Sequence, residues 1–122
     1  MIRDRSVFRA CAAVSIGAIA ALSFLPVGDK RLLHTEGRFH LLGHFLAFAA
    51  IGFLLALSVG SAWKRVLVLA IGAALGYSIE FAQHYLFHFR IELHDVLMDI
   101  LGISAGIIVA AAVDESVETR SK

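Results

Sequence analysis

Asp95-Val96-Leu97-Met98-Asp99-Ile100-Leu101-Gly102-Ile103-Ser104-Ala105-Gly106-Ile107-Ile108-Val109-Ala110-Ala111-Ala112-Val113 is the stretch whose reading decides the fold. From Val96 to Val113 its only ionisable side chain is Asp99. An apolar run of about 18 to 20 residues is what a helix needs to cross the hydrocarbon of a bilayer. Three more such runs precede it. Ala10 to Gly28 carries no charge, Leu41 to Ala62 holds only His44, and Val66 to Phe89 is interrupted by Glu80 and by Gln83, His84 and His88. Strands with open edges leave backbone groups unsatisfied in lipid. The expectation is therefore an all-α integral membrane bundle of four transmembrane helices, at about residues 8–27, 40–61, 65–87 and 94–113, forming one domain over 1–122.

Composition agrees. The 122 residues are 59% hydrophobic and 17% charged, with one proline and a mean hydropathy of +0.81. Soluble domains lie nearer half apolar and about a quarter charged. A net charge of +1 with no basic tract gives no case for nucleic acid. The first run follows Arg3, Arg5 and Arg9, as the core of a signal peptide would, but Ser23-Phe24-Leu25-Pro26-Val27 contains no clear small-x-small cleavage site, so retention as a helix is expected. Cys11, the only cysteine, lies at the very start of the run and not after it, is not placed as a lipoprotein acceptor, and has no partner for an internal disulfide.

Lysine and arginine in short loops set orientation. With four spans, Arg3, Arg5, Arg9, Lys64, Arg65, Arg120 and Lys122 share one side, against Lys30, Arg31, Arg38 and Arg90 on the other. Seven against four places both termini in the cytoplasm and the protein in the cytoplasmic membrane as a multi-pass chain.

So oriented, the polar residues gather at the outer end. At about 1.5 Å rise per residue, His44, Glu80 and Asp99 lie about 8 to 10 Å below the outer ends of their helices. His40, Gln83, His84 and Asp95 form a shallower tier, and His88, Arg90, Glu92 and His94 lie in the loop above. Helical spacing puts Gly72, Gly76, Glu80 and Gln83 on one side of the third helix, and Asp95, Asp99, Gly102 and Gly106 on one side of the fourth. Gly72/Gly76 and Gly102/Gly106 are GxxxG pairs, which let helices approach closely in lipid. The charged stripe thus continues into the packing stripe and faces the interior, where an intramembrane carboxylate finds partners.

Several segments in order resemble the VanZ-like membrane proteins. They are Ser23-Phe24-Leu25-Pro26, Gly43-His44-Phe45 with Phe48, Ile79-Glu80-Phe81-Ala82-Gln83, Arg90, and Asp95-Val96-Leu97-Met98-Asp99-Ile100-Leu101-Gly102 with Gly106. The likeness runs from Leu22 to Gly106. The chain departs from the pattern at His40-Leu41, where the family often has Asp-Lys, at His88-Phe89, where it has Pro-Gly, and at Asp99, where asparagine is usual. The resemblance implies a cell-envelope protein, and its founding member is associated with reduced sensitivity to the lipoglycopeptide teicoplanin.

The residues themselves support a lipid-headgroup pocket, with His44, Glu80 and Asp99 as candidate catalytic groups at its floor. His40, Gln83, His84, Asp95 and Arg90 are the candidate substrate-binding groups. The arginine fork suits phosphate oxygens, and the floor offers a general base. The ligand would be an anionic lipid or a lipid-linked cell-wall precursor. Two histidines at i, i+4 beside carboxylates are acceptable metal ligands, but the spacing is not a metal motif, so no residue is assigned to a metal and no cofactor is specified. The competing reading makes these groups interhelical fasteners, and the chain a non-catalytic accessory subunit of a membrane complex, such as one for polysaccharide assembly, with a membrane-protein partner or a second copy. His88 and His94 read as solvated, Trp63, Tyr77 and Tyr85 as belt or core, and Asp114, Glu115 and Glu118 as a soluble tail.

Overall fold

A computed structural model describes residues 4–24 and 39–122 of the chain. Among these residues there are four helices: α1 (Arg5–Ser23), α2 (His40–Val59), α3 (Ala62–Phe87) and α4 (Leu93–Arg120). Each is long and apolar enough to cross a membrane, which defines a multi-pass membrane protein. Of the residues used for orientation, Arg3, Lys30, Arg31 and Arg38 lie outside the described residues, as do 25–27 at the expected end of the first helix.

Local chemistry explains where the helices begin and end. Asp4 caps α1 by accepting the Ser6 N–H at 2.9 Å, satisfying a donor that the first turn cannot pair internally. This starts the helix ahead of its apolar run. Ser61 likewise accepts from the Lys64 N–H to open α3. Between α2 and α3, Gly60 takes φ of 71°, a left-handed conformation that closes α2 with little steric cost only because the residue has no Cβ. The fourth helix continues past Val113, where the apolar run stops, to Arg120. Asp114, expected in a soluble tail, instead pairs with Arg65 of α3. No glycine or proline interrupts the turns beyond it.

The bundle is organised around a close parallel pair, α2 and α4. Gly102 sits against the backbone of Phe45, and Gly106 against the backbone of Ala49 and Phe53; reciprocally, Gly52 of α2 meets the backbone of Ile103. Backbone-to-backbone approach of this kind replaces the missing hydrophobic drive between helices in lipid with dispersion contact. The α3 helix lies against α4, with Gly72 receiving the Ile103 side chain and Gly76 the Asp99 carboxylate. Both GxxxG faces are therefore filled within one chain. Phe48, Ile79 and Ile103 form the central core, and Ala56, Leu57 and Ala110 a second cluster toward the chain termini. The α1 helix packs mainly on α2.

Large apolar side chains, among them Val14, Leu46, Ile71, Leu101 and Ile108, point outward. A soluble fold would bury such groups; here they form the surface that hydrocarbon covers. Trp63 and Tyr85, near opposite ends of α3, are also exposed, and Tyr77 is half exposed between them. The first two occupy places where amphipathic rings sit at the lipid–water boundary.

Candidate functional site

The polar end of the bundle is the one away from Arg5 and Arg120, where α2 and α4 start and α1 and α3 finish. His40 and His44 are one turn apart on α2, and Asp95 and Asp99 one turn apart on α4, so each pair lies on one face. The parallel packing of the two helices brings the faces together as two rungs. His40 Nε2 lies 2.8 Å from Asp95 Oδ2, and His44 Nδ1 lies 2.7 Å from Asp99 Oδ1. A diagonal contact of 3.5 Å joins His44 Nε2 to Asp95 Oδ2. The two imidazoles meet edge to face, with ring centroids 4.7 Å apart.

Both aspartates are buried, whereas His40 keeps 35% of its side chain exposed. The cluster thus opens at the bundle end and closes toward the core. As a carboxylate Asp99 can only accept, so His44 donates its Nδ1–H to it, and when the ring is neutral Nε2 is an acceptor. A base held in one tautomer by a carboxylate is an arrangement suited to proton transfer.

Glu80 comes from the third helix. It is buried one turn beyond Gly76, within electrostatic reach of Asp95 and His44, and accepts the backbone N–H of Glu92 at 3.1 Å. Glu92, the residue just before α4, was legible only as a loop acid. Its N–H anchors Glu80, and partial loss of water together with the adjacent Asp95 carboxylate holds its own carboxyl above the ordinary range. No side-chain signal in the sequence marks it: glutamate is not a favoured N-cap residue and its side chain makes no cap hydrogen bond, so its place follows only from where α4 begins.

The remaining candidates lie apart from the rungs. Gln83 donates to the Ser23 carbonyl at 2.5 Å, tying α3 to the end of α1. His84 is exposed and bonds to the Phe89 carbonyl at 2.6 Å, which folds the loop back over the end of α3. There His88 takes a left-handed conformation with φ of 57°. Arg90 is exposed in the same loop. The structure therefore gathers His40, His44, Glu80, Asp95 and Asp99, while Gln83 and His84 serve neighbouring backbone.

The carboxylates of Glu80, Glu92, Asp95 and Asp99 together with the imidazoles of His40 and His44 form a site with an excess of acceptors. Such a site takes hydroxyl donors or a cation directly, and an anion only alongside a positive group. In comparisons with family models, curated proteins and solved structures, no match to this chain is found.

Proposed function

We propose that this chain is an envelope protein of the cytoplasmic membrane whose polar end faces outward. There it binds or modifies the headgroup of a phospholipid or a lipid-linked cell-wall precursor. The observation that carries this reading is the double His–Asp rung, His40–Asp95 and His44–Asp99. Fastening two helices already seated by Gly52, Gly102 and Gly106 does not require two buried carboxylates paired with imidazoles. Ionisable groups at membrane depth are costly and are retained where they serve a ligand or a proton.

The roles divide by position. Arg90 at the rim supplies donors for phosphate oxygens. The carboxylates accept from headgroup hydroxyls, and His44, oriented by Asp99, accepts a proton from one of them. The likeness to VanZ-like proteins supports an envelope role and, with it, a contribution to tolerance of lipoglycopeptides such as teicoplanin.

The test is the lipid that purifies with the protein. Wild-type protein extracted in mild detergent is expected to carry a phosphate-bearing lipid enriched over the surrounding membrane. Arg90→Ala, a change at an exposed loop residue that leaves the bundle intact, is expected to reduce that enrichment about tenfold, as loss of a charge-assisted hydrogen bond of about 1.5 kcal/mol would. Quantitative lipid mass spectrometry reads both. Bound lipid identical to bulk membrane in wild type and variant alike would remove the proposal.

A further inference from the structure

We propose that His40, His44 and Asp95 form a three-ligand site for a divalent transition metal of the zinc class, with Asp99 as a positioning residue and the fourth coordination position open to the headgroup. The inference rests on the headgroup reading for what occupies that fourth position, and on the geometry alone for the metal.

One ligand atom from each of the three residues lies within 4.8 Å of the others. In a tetrahedral zinc site with ligand bonds of about 2.0 to 2.1 Å, neighbouring ligand atoms are about 3.3 Å apart. The observed separations of 2.8 Å and 3.5 Å from Asp95 Oδ2 bracket that value, so small side-chain movements suffice to admit an ion. Two imidazoles and one carboxylate, with a vacant fourth place, are the donor set of hydrolytic zinc centres.

Two further features favour a cation over simple hydrogen bonding. First, the buried Oδ1 of Asp95 receives no N–H or alcohol donor among the described residues, and the group that neighbours the Asp95 carboxylate is a second acid, the Glu92 carboxyl. A buried acceptor left unpaired costs about 1 to 3 kcal/mol, and a metal that draws on the carboxylate compensates it. Second, with Nδ1 of His44 taken up by Asp99, its Nε2 lies 3.5 Å from Oδ2 of Asp95, long for a hydrogen bond and close to the spacing of two ligands on one zinc ion. The Asp99–His44 contact is also the carboxylate–histidine support that metal-bound imidazoles commonly have.

A bound dication would change the character of the site: it takes the Nε2 lone pair of His44, so the proton from a headgroup hydroxyl then passes to the carboxylate of Glu80 and not to His44. It offsets part of the carboxylate charge and offers a phosphate oxygen a place to coordinate, with Arg90 as a second contact. His40, the most exposed of the three ligands, places the open position at the bundle end.

The experiment uses full-length, tag-free protein in detergent, stripped with chelator and titrated with Co²⁺. The expected result is about one equivalent bound per chain, the intense visible bands of four-coordinate cobalt, and loss of those bands on adding Zn²⁺. His40→Ala is expected to weaken Co²⁺ binding by more than about 100-fold, and Asp99→Asn by about 10- to 100-fold with unchanged stoichiometry. His94→Ala, at an exposed residue, is expected to change nothing. Absence of the bands in wild type, or equal loss in His94→Ala and His40→Ala, would overturn the site. If stripped protein still enriches the phosphate-bearing lipid as well as loaded protein does, the proposed coordination of the headgroup by the metal is overturned while the headgroup reading stands. If cobalt binds as described without lipid enrichment, the metal site stands and the headgroup reading fails.

Discussion

Gly106→Leu is expected to destroy the folded bundle. A Cβ at this position would lie 2.6 Å from the Phe53 nitrogen and 3.0 Å from the Ala49 carbonyl carbon, and these atoms belong to the backbone of α2. Backbone cannot swing aside as a side chain can, so α4 must move away from α2 along its length. Overpacking of a close contact costs about 1 to 3 kcal/mol in ordinary cores. Here a whole side chain must enter a backbone contact, so at least about 3 kcal/mol is expected, a shift of more than about 100-fold in the folding equilibrium. Both His–Asp rungs depend on the same seating and would separate. Equilibrium unfolding in mixed micelles, followed by circular dichroism, gives the number. Gly43→Ala and Gly17→Ala, whose added Cβ meets no heavy atom within 4 Å, should show no loss. Gly72→Ala should fall between, since the obstruction there is the flexible end of Ile103. The graded series ties the effect to the α2–α4 contact and not to loss of glycine as such.

Glu80→Gln is expected to leave the bundle standing and to abolish its function. Glutamine has the same shape and keeps a carbonyl oxygen able to accept the Glu92 N–H, the one hydrogen bond Glu80 makes among the described residues. What it removes is a negative charge and a proton acceptor beside His44 and Asp95. A group that moves a proton in a reaction contributes about 10² to 10⁴ in rate, so at least a 100-fold loss in turnover of the lipid substrate is expected. The unfolding midpoint should stay at the wild-type value. A fastener would show a different signature, with stability and function falling together or neither changing.

Much of this architecture could be read from the sequence because uninterrupted apolar runs leave a lipid-embedded chain one economical choice, the helix. The ends of the helices were less accessible. The fourth helix runs on to Arg120 because Asp114 finds Arg65, a residue 49 positions earlier, and no window of hydropathy contains that contact. The first helix starts at Arg5 because the Asp4 side chain caps it. Within the site, the face shared by His40 and His44, and that shared by Asp95 and Asp99, follow from helical spacing alone. Which histidine meets which aspartate does not, because the register between α2 and α4 is set by where Gly102 and Gly106 seat on Phe45 and Ala49. Gln83 shares a broad stripe with Glu80, but three residues along a helix turn it about 60° away, enough to reach α1 instead. Glu92 acts through its backbone N–H, which side-chain chemistry could not disclose.

The central claim, that the polar end is a working site for lipid headgroups, is tested most directly by mass spectrometry of envelope lipids from three strains. One lacks the protein, one has it restored, and one carries Glu80→Gln at equal membrane abundance. The expected result is a lipid species that is changed by the restored protein and left unchanged both by its absence and by Glu80→Gln. Glu80→Gln acting as fully as the wild type on that species would contradict the account, and would leave the buried carboxylates as structural ties between helices.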